Sequence, residues 1–200
     1  TGIVVMALHV PQQIQRGFSL LELLVALLVF SIGLLSIAGL QTVSKQANYE
    51  SIQRTAASQI AYGLLEDMRT NGDAIGIYLA AAQIGQGSRG AVPIPDCSVG
   101  NECNPAQKAA YDLWFWEQML DGNLETNAGA GTGGLVLPNL CVAGPVGGVA
   151  GIYQVTIAWR GTATISNNVN NPCGAASGNY GNANEFRRII QVPTFLDPNT

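Results

Sequence analysis

Histidine is almost missing from this chain of 200 residues: His9 is the only one. Without imidazole, most Ser–His and Cys–His nucleophile pairs, many general acid–base schemes and most zinc sites lose a member. Charge is scarce too, with 9 Lys and Arg against 13 Asp and Glu, a formal net charge of −4 and only 11% charged residues. Binding to a phosphate backbone needs a concentrated cationic face, so this composition argues against nucleic acid as a partner. The four cysteines contain no C-x-x-C pair, which removes the usual spacing of a zinc or redox site. No catalysis, metal or cofactor is expected.

Apolar residues are abundant by contrast. They make up 48% of the chain, and mean hydropathy is +0.22. The excess is concentrated in one place. Between Arg16 and Lys45 lie 28 residues with a single charge, Glu22, and Leu23 to Leu40 reads LLVALLVFSIGLLSIAGL. At about 1.5 Å per helical residue, 18 to 23 residues span roughly 27 to 35 Å, matching a hydrocarbon core of about 30 Å. The helical pattern continues beyond Leu40, with Tyr49, Ile52, Ala56, Ile60, Leu64 and Met68 recurring every three or four residues. The spacing predicts one helix from Phe18 to about Thr70, stopped at Asn71-Gly72. No proline interrupts it; Gly33 and Gly39 are its weak points.

Glu22 is the odd residue in this run. A carboxylate near the start of a membrane helix costs about 2.5–3.5 kcal/mol on insertion scales, so it calls for a cation. One reading is a carboxylate that snorkels to water at the interface. In the other, cleavage after Gly17 gives Phe18 an ammonium group four residues before Glu22, on the same face or offered to a neighbouring subunit.

Arg16, then Gly17-Phe18-Ser19-Leu20-Leu21-Glu22, then the long apolar helix: this order resembles the type III signal and cleavage site of type IV prepilins and secretion pseudopilins. The resemblance implies that a membrane-embedded prepilin peptidase cuts between Gly17 and Phe18 on the cytoplasmic side and methylates the new Phe18 amine. It implies for Glu22 a contact with the N-terminal amine of an adjacent subunit during filament assembly. Residues 1–17 become a leader, 18–44 the transmembrane and filament-core half of the helix, 45–72 its amphipathic half, and 73–200 a periplasmic globular domain. Loss of the leader removes His9 and Arg16 and makes the chain one charge more negative. Positive-inside counting adds only a weak preference for a cytoplasmic N-terminus, from Arg16. Whether translation starts at Met6 or upstream is open.

The implied fold is α+β and pilin-like, with a long N-terminal transmembrane helix packed on a C-terminal antiparallel sheet domain. Cys97, Cys103, Cys141 and Cys173 fall on the non-cytoplasmic side, where an even count favours disulfides. Three connectivities are possible. Pairing Cys97 with Cys103 and Cys141 with Cys173 is the preferred one, and the choice stays open.

Downstream, AAYDLWFWEQMLDG reads as a short helix with Leu113, Trp116 and Leu120 on one side. Aromatics at helical spacing are more often core than surface, so Trp114, Phe115 and Trp116 are expected inside, with an exposed adhesive cluster as the alternative. GIYQVTIAWRGTATI alternates, Tyr153, Val155, Ile157 and Trp159 on one face against Gln154, Thr156, Ala158 and Arg160, as in a half-buried antiparallel strand. EFRRIIQVPTFL is a second strand, and NNVNNPCGAASGNYGNAN between them a long polar loop for surface recognition or variation.

LLEDMRTN, DLWFWEQML, the Leu137-Pro138 turn, YQVTIAWRG and FRRIIQ together are similar to the PilV-type minor pilins of type IV pili. That likeness implies a low-abundance subunit that joins other minor pilins and the major pilin in a priming or tip complex, with a tip adhesin and the inner-membrane assembly platform as further partners. Its implied home is the inner membrane before assembly and the surface pilus afterwards. The alternatives are a type II secretion pseudopilin and a tip adhesion module.

Two other patterns lack the context for chemistry. Gly85-Gln86-Gly87-Ser88-Arg89-Gly90 fits G-x-G-x-x-G, but the following Ala91-Val92-Pro93-Ile94-Pro95 cannot open the helix a dinucleotide site needs. Glu66 with Asp67, and Glu117 with Asp121, are expected on solvated helical faces rather than as an acid–base pair.

Overall fold

The computed structural model describes residues 17–81, 83–98, 102–166 and 170–198. His9, Arg16 and the rest of the expected leader before Gly17 lie outside the described residues. The elements, in chain order, are helices α1 (Leu20–Thr70), α2 (Ile75–Ala80) and α3 (Pro105–Asp121), and strands β1 (Thr126–Asn127), β2 (Ala130–Gly131), β3 (Asn139–Ala143), β4 (Gly151–Arg160) and β5 (Arg187–Leu196). The architecture is α+β: a long apolar helix at the N-terminal side and a three-stranded antiparallel sheet at the C-terminal side. Two compact units divide the chain, one ending at Lys45 and the other beginning at Gln46.

In the second unit the last five turns of α1 bury one face, formed by Gln53, Ala57, Ile60, Ala61, Leu64, Leu65 and Met68. These positions repeat at three or four residues, as one side of a 3.6-residue helix must. The upper part of the stripe expected from sequence is displaced. Tyr49 and Ile52 are exposed, and Gln53 takes the inward position. At that level the helix meets irregular backbone, which needs hydrogen bonds rather than methyl groups. Gln53 Nε2 donates to Gly134 O at 3.0 Å and its Oε1 accepts from Val136 N at 3.3 Å.

After Thr70 a short 3₁₀ turn, Gly72–Ala74, leads into α2. A polar network fixes this corner. Asn71 Nδ2 donates to Pro105 O and to Tyr78 Oη, the buried Tyr78 hydroxyl donates to Asp112 Oδ2 at 2.6 Å, and Lys108 pairs with Asp112.

Sequence sets both ends of α3. Asn104 and Gln107 form a reciprocal capping box, Pro105 occupies the first turn, and Gly122 closes the helix with φ of +72°. Its buried face is Ala109, Asp112, Leu113, Glu117 and Leu120. The aromatic triplet departs from the expectation of a core cluster: Trp114, Phe115 and Trp116 are all half-buried. Leu113 and Leu120 take the inward line, and the rings stack along the helix surface, Tyr111 on Phe115 and Phe115 edge-on to Trp116. Trp116 crosses to α1, where Gly63 leaves room for its ring; a Cβ on Gly63 would stand 2.1 Å from Trp116 Cη2. Its indole N–H donates to Asp67 Oδ2 at 2.6 Å.

The sheet has the order β3-β4-β5, antiparallel throughout, with Leu140 opposite Ile157 and Ile157 opposite Ile190. Tyr153, Val155, Ile157 and Trp159 are buried, as the alternation required. The opposite face departs from the half-buried reading, because Thr156 and Ala158 are buried as well. Their cover is the described part of the polar loop. Cys173 is joined to Cys141 on β3, Arg187 Nη1 donates to Asn171 O and Cys173 O, and the buried Tyr180 hydroxyl donates to Leu137 O at 2.9 Å and accepts from Asn139 Nδ2. The described part of this segment thus covers the sheet. A second disulfide joins Cys97 to Cys103. By chain entropy the closure between Cys141 and Cys173 contributes about 3.7 kcal/mol and the shorter one about 2.2 kcal/mol.

Replacing Gly63 by alanine is expected to push Trp116 outward and lower stability by about 1–3 kcal/mol. Gly76→Ala, where no atom lies within 4 Å of the added methyl, is the control and leaves the melting temperature unchanged or slightly raised. Thermal unfolding followed by near-ultraviolet circular dichroism checks both, and equal melting curves for wild type and Gly63→Ala refute the packing assigned to Trp116.

Candidate functional site

The stretch Gly17–Lys45 is built for a non-aqueous neighbour. Gly17, Phe18 and Ser19 precede the helix, and the first α-helical bond runs from Leu23 N to Ser19 O at 3.2 Å. Every residue from 17 to 49 is exposed, including Phe18, at 88%. In water such a surface is unfavourable by about 25 cal/mol per Å² of apolar area. The helix is long and apolar enough to cross a membrane. Three of its hydroxyls are bonded internally: Ser31 Oγ donates to Leu27 O, Ser36 Oγ to Ile32 O and Thr42 Oγ1 to Ala38 O, at 2.7 to 3.1 Å. Hydroxyls that fold back on the i−4 carbonyl present no unsatisfied donor to lipid. The serines that interrupt the apolar run in the sequence are thus silent. Glu22 remains. It lies in the first turn, where the helix dipole favours negative charge, and no cation faces it among the described residues.

The other sequence candidates fall elsewhere and acquire structural roles. The G-x-G-x-x-G loop turns its backbone N–H groups onto α3. Gly85 N donates to Glu117 Oε1 at 3.0 Å and Arg89 N to Glu117 Oε2 at 2.7 Å, the Ser88 hydroxyl also reaches Glu117, and Gln86 N and Gly87 N donate to the two oxygens of Asp121 at 2.8 Å. The loop is an anion nest filled by the protein's own carboxylates. Glu117 thereby departs from the solvated face expected from the sequence, being fully buried because the nest replaces its water, whereas Asp121 is only half-buried. Asp67 is held by Trp116, and burial pushes its carboxyl above the ordinary aspartate value, against the Trp116 hydrogen bond, with the nearby Asp112 adding to the rise. All four cysteines are in disulfides, and among the described residues no three His, Cys, Asp or Glu side chains converge as a metal site.

The comparisons with known proteins coincide with these features. Residues 13–38 match the prokaryotic N-terminal methylation motif, and residues 39–114 match the family described as type IV pilin Tt1218. The chain belongs to the type IV pilin family. Such proteins are structural filament subunits, not enzymes. No curated protein and no solved structure matches the chain significantly. The first match covers the start of α1, and the second runs through the rest of it into α3, so neither reaches the sheet of this pilin.

Sequence reasoning missed the contact that clamps α1 of the pilin to β5. Glu50 Oε1 accepts from the backbone N–H of Thr162 at 2.7 Å and from its hydroxyl at 2.9 Å, and Arg188 Nε donates to Glu50 Oε2 at 3.1 Å. The partners are 112 and 138 residues apart in sequence, which leaves no local signal. Burial alone would raise the pKa of Glu50; the Thr162 hydrogen bonds and Arg188 outweigh it and hold the carboxyl below the ordinary glutamate value.

A carboxyl lowered in the folded state contributes stability above its unfolded pKa of about 4.3, and that contribution is lost as pH falls through the lower folded value. Asp67, raised in the folded state, acts in the opposite sense. The melting temperature of wild type is therefore expected to fall more between about pH 5 and pH 3 than that of Glu50→Gln; parallel pH profiles refute the clamp. For the nest, Glu117→Ala strands two backbone N–H groups and a hydroxyl, at about 1–3 kcal/mol each. Asp121→Ala, at a more exposed pair of bonds, costs less. Amide exchange at Gly85 and Arg89 reports the difference, and unchanged protection in Glu117→Ala excludes the nest.

Proposed function

We propose that this pilin is a minor subunit of a type IV pilus, of the PilV type, which helps start filament assembly and build a tip complex with other minor pilins and the major pilin. The observation that carries the reading is Glu22: one carboxylate, without a cation among the described residues, in the first turn of an exposed apolar helix whose hydroxyls are internally satisfied. Prepilin peptidase cuts between Gly17 and Phe18, the Phe18 amine is methylated, and Glu22 receives that amine from a neighbouring subunit. Phe18 stands before the first hydrogen bond of α1, outside the regular i, i+4 geometry that would pair it with Glu22 in its own chain. A neighbour's amine has no such restriction.

Membrane anchoring through α1 and a place in a pilus follow from the methylation motif and the apolar helix. In the proposed topology the helix crosses the inner membrane once, with the N-terminus cytoplasmic, residues 18–44 in the membrane or filament core, 45–72 as the amphipathic half and 73–200 in the periplasm. Assembly then moves the subunit to the surface pilus. Support for twitching and adhesion is indirect, through the presence of pili.

Intact mass and N-terminal peptide mapping from cells with and without prepilin peptidase test the processing step. The expected mature species begins at methylated Phe18 only when the peptidase is present; an unprocessed chain, or one cut elsewhere, overturns it. Deletion of the gene is expected to reduce surface pili sharply, and Glu22→Ala to reproduce the loss while cleavage continues. Loss of secretion with intact pili would assign the chain to a type II secretion pseudopilus instead. Normal pili with failed attachment would assign it to tip adhesion.

A further inference from the structure

The glycine loop that Glu117 and Asp121 strap to α3 has an outer side. Between α2, the stretch that follows the strap and the Ala110, Leu113 and Trp114 side of α3 lies an open groove of about 590 Å³, lined by Ile77, Ala81, Arg89, Pro93, Leu113 and Trp114 among others. Its walls are largely apolar. The Trp114 indole N–H donates to Gly90 O at 3.2 Å, which leaves the ring to the groove as apolar surface and ties the loop to α3 a second time.

Arg89 is the one ionised side chain in this lining. Glu117 accepts from the backbone N–H of Arg89, yet it forms no ion pair with the guanidinium. Among the described residues Nη1 and Nη2 of Arg89 have no acceptor, and unlike Nε they are open to solvent, so a group entering the groove can reach them. The backbone that carries this fork is pinned, by the nest at Gly85, Gln86, Gly87 and Arg89 and by Trp114 at Gly90. A partner therefore meets a loop that is already in place.

The surroundings indicate what kind of partner. Ile77 and Val92 are exposed, and Ile94, on the other side of Pro93, is 96% exposed. That apolar skirt is more than a small free acid covers and suits a protein surface. A cation with two open donors in its midst selects a carboxylate, which can accept both bonds in parallel. Pilins are filament subunits, so the proteins that meet this surface include other pilins.

We propose that this groove docks an acidic side chain of another pilin subunit, its carboxylate accepting from Arg89 Nη1 and Nη2 and the apolar residues beside it resting on Ile77, Pro93 and Trp114. The contact requires a filament subunit and not specifically a minor one, so it stands apart from the reading of Glu22.

For the test, cells express the full chain with photoreactive p-benzoyl-phenylalanine in place of Ile94 and are irradiated. The expected product joins position 94 to another pilin, at a site that peptide mass mapping places beside an Asp or Glu. Its yield per copy of the chain is expected to fall about tenfold in Arg89→Gln and to recover in Arg89→Lys. Both variants keep the backbone N–H that the nest uses. Ile77→Glu, at an exposed position, leaves Arg89 intact but sets a competing carboxylate beside it, and is expected to give the same loss. A yield that is equal in wild type and Arg89→Gln, a cross-link only to proteins other than pilins, or no cross-link at all overturns the site.

Discussion

Ala57, Ile60, Ala61, Leu64, Leu65 and Met68 line one side of α1, and that side must be covered, because each large aliphatic left in water costs about 1.5–3 kcal/mol. The layout of the second unit answers this demand. Small residues set the approach distance: Gly63 admits Trp116, which ties α3 to α1 through Asp67 as well as by contact. β4 brings Tyr153, Val155, Ile157 and Trp159 into the same core. The chain that returns beyond β4 closes the opposite face of the sheet, and the disulfide between Cys141 and Cys173 keeps it there. Gln53 and Asp67 enter the interface where backbone or a ring N–H requires a partner.

Periodicity made much of this legible. The 51 residues of α1 and its stop before Asn71, the body of α3 from Ala109 onward and the alternation of β4 are local patterns, and local patterns survive folding. The misses have a common physical origin. Ile52 and Tyr49 continue the apolar rhythm of α1, yet Gln53 faces inward, because what lies opposite is backbone at Gly134 and Val136, far along the chain. Thr156 and Ala158 look like a solvent face until Cys173 and Tyr180 cover them. β3 is too short to show alternation, and α2 too short to show a stripe. A sequence pattern states which side of an element is apolar; it does not state what arrives from 80 or 130 residues away.

The Gly85–Gly90 loop sharpens the distinction between a motif and its ligand. A run of glycines with backbone N–H groups pointing one way does build a concave anion receptor, and in this pilin it does so. The occupant is decided by the nearest negative groups. Here α3 supplies Glu117 and Asp121 at a spacing of four residues, one helical turn, so both carboxylates face the loop together. The result is a strap that fastens the 85–89 backbone to α3.

The same reasoning about satisfied and unsatisfied groups applies to the first stretch of α1. Ser31, Ser36 and Thr42 look polar in sequence but expose no free donor once their hydroxyls bond to the preceding turn, so the helix presents a uniform apolar surface to any surrounding hydrocarbon. Against that background one carboxylate is a perturbation, one that costs about 2.5–3.5 kcal/mol at a helix centre on insertion scales and less at the first turn, where the helix dipole favours it. Residues 17–19 are not helical and the nearest basic side chain described is Lys45, more than six turns along the same helix. Among the described residues Glu22 is thus the single charge of the 17–44 stretch, answered by the dipole of its own first turn.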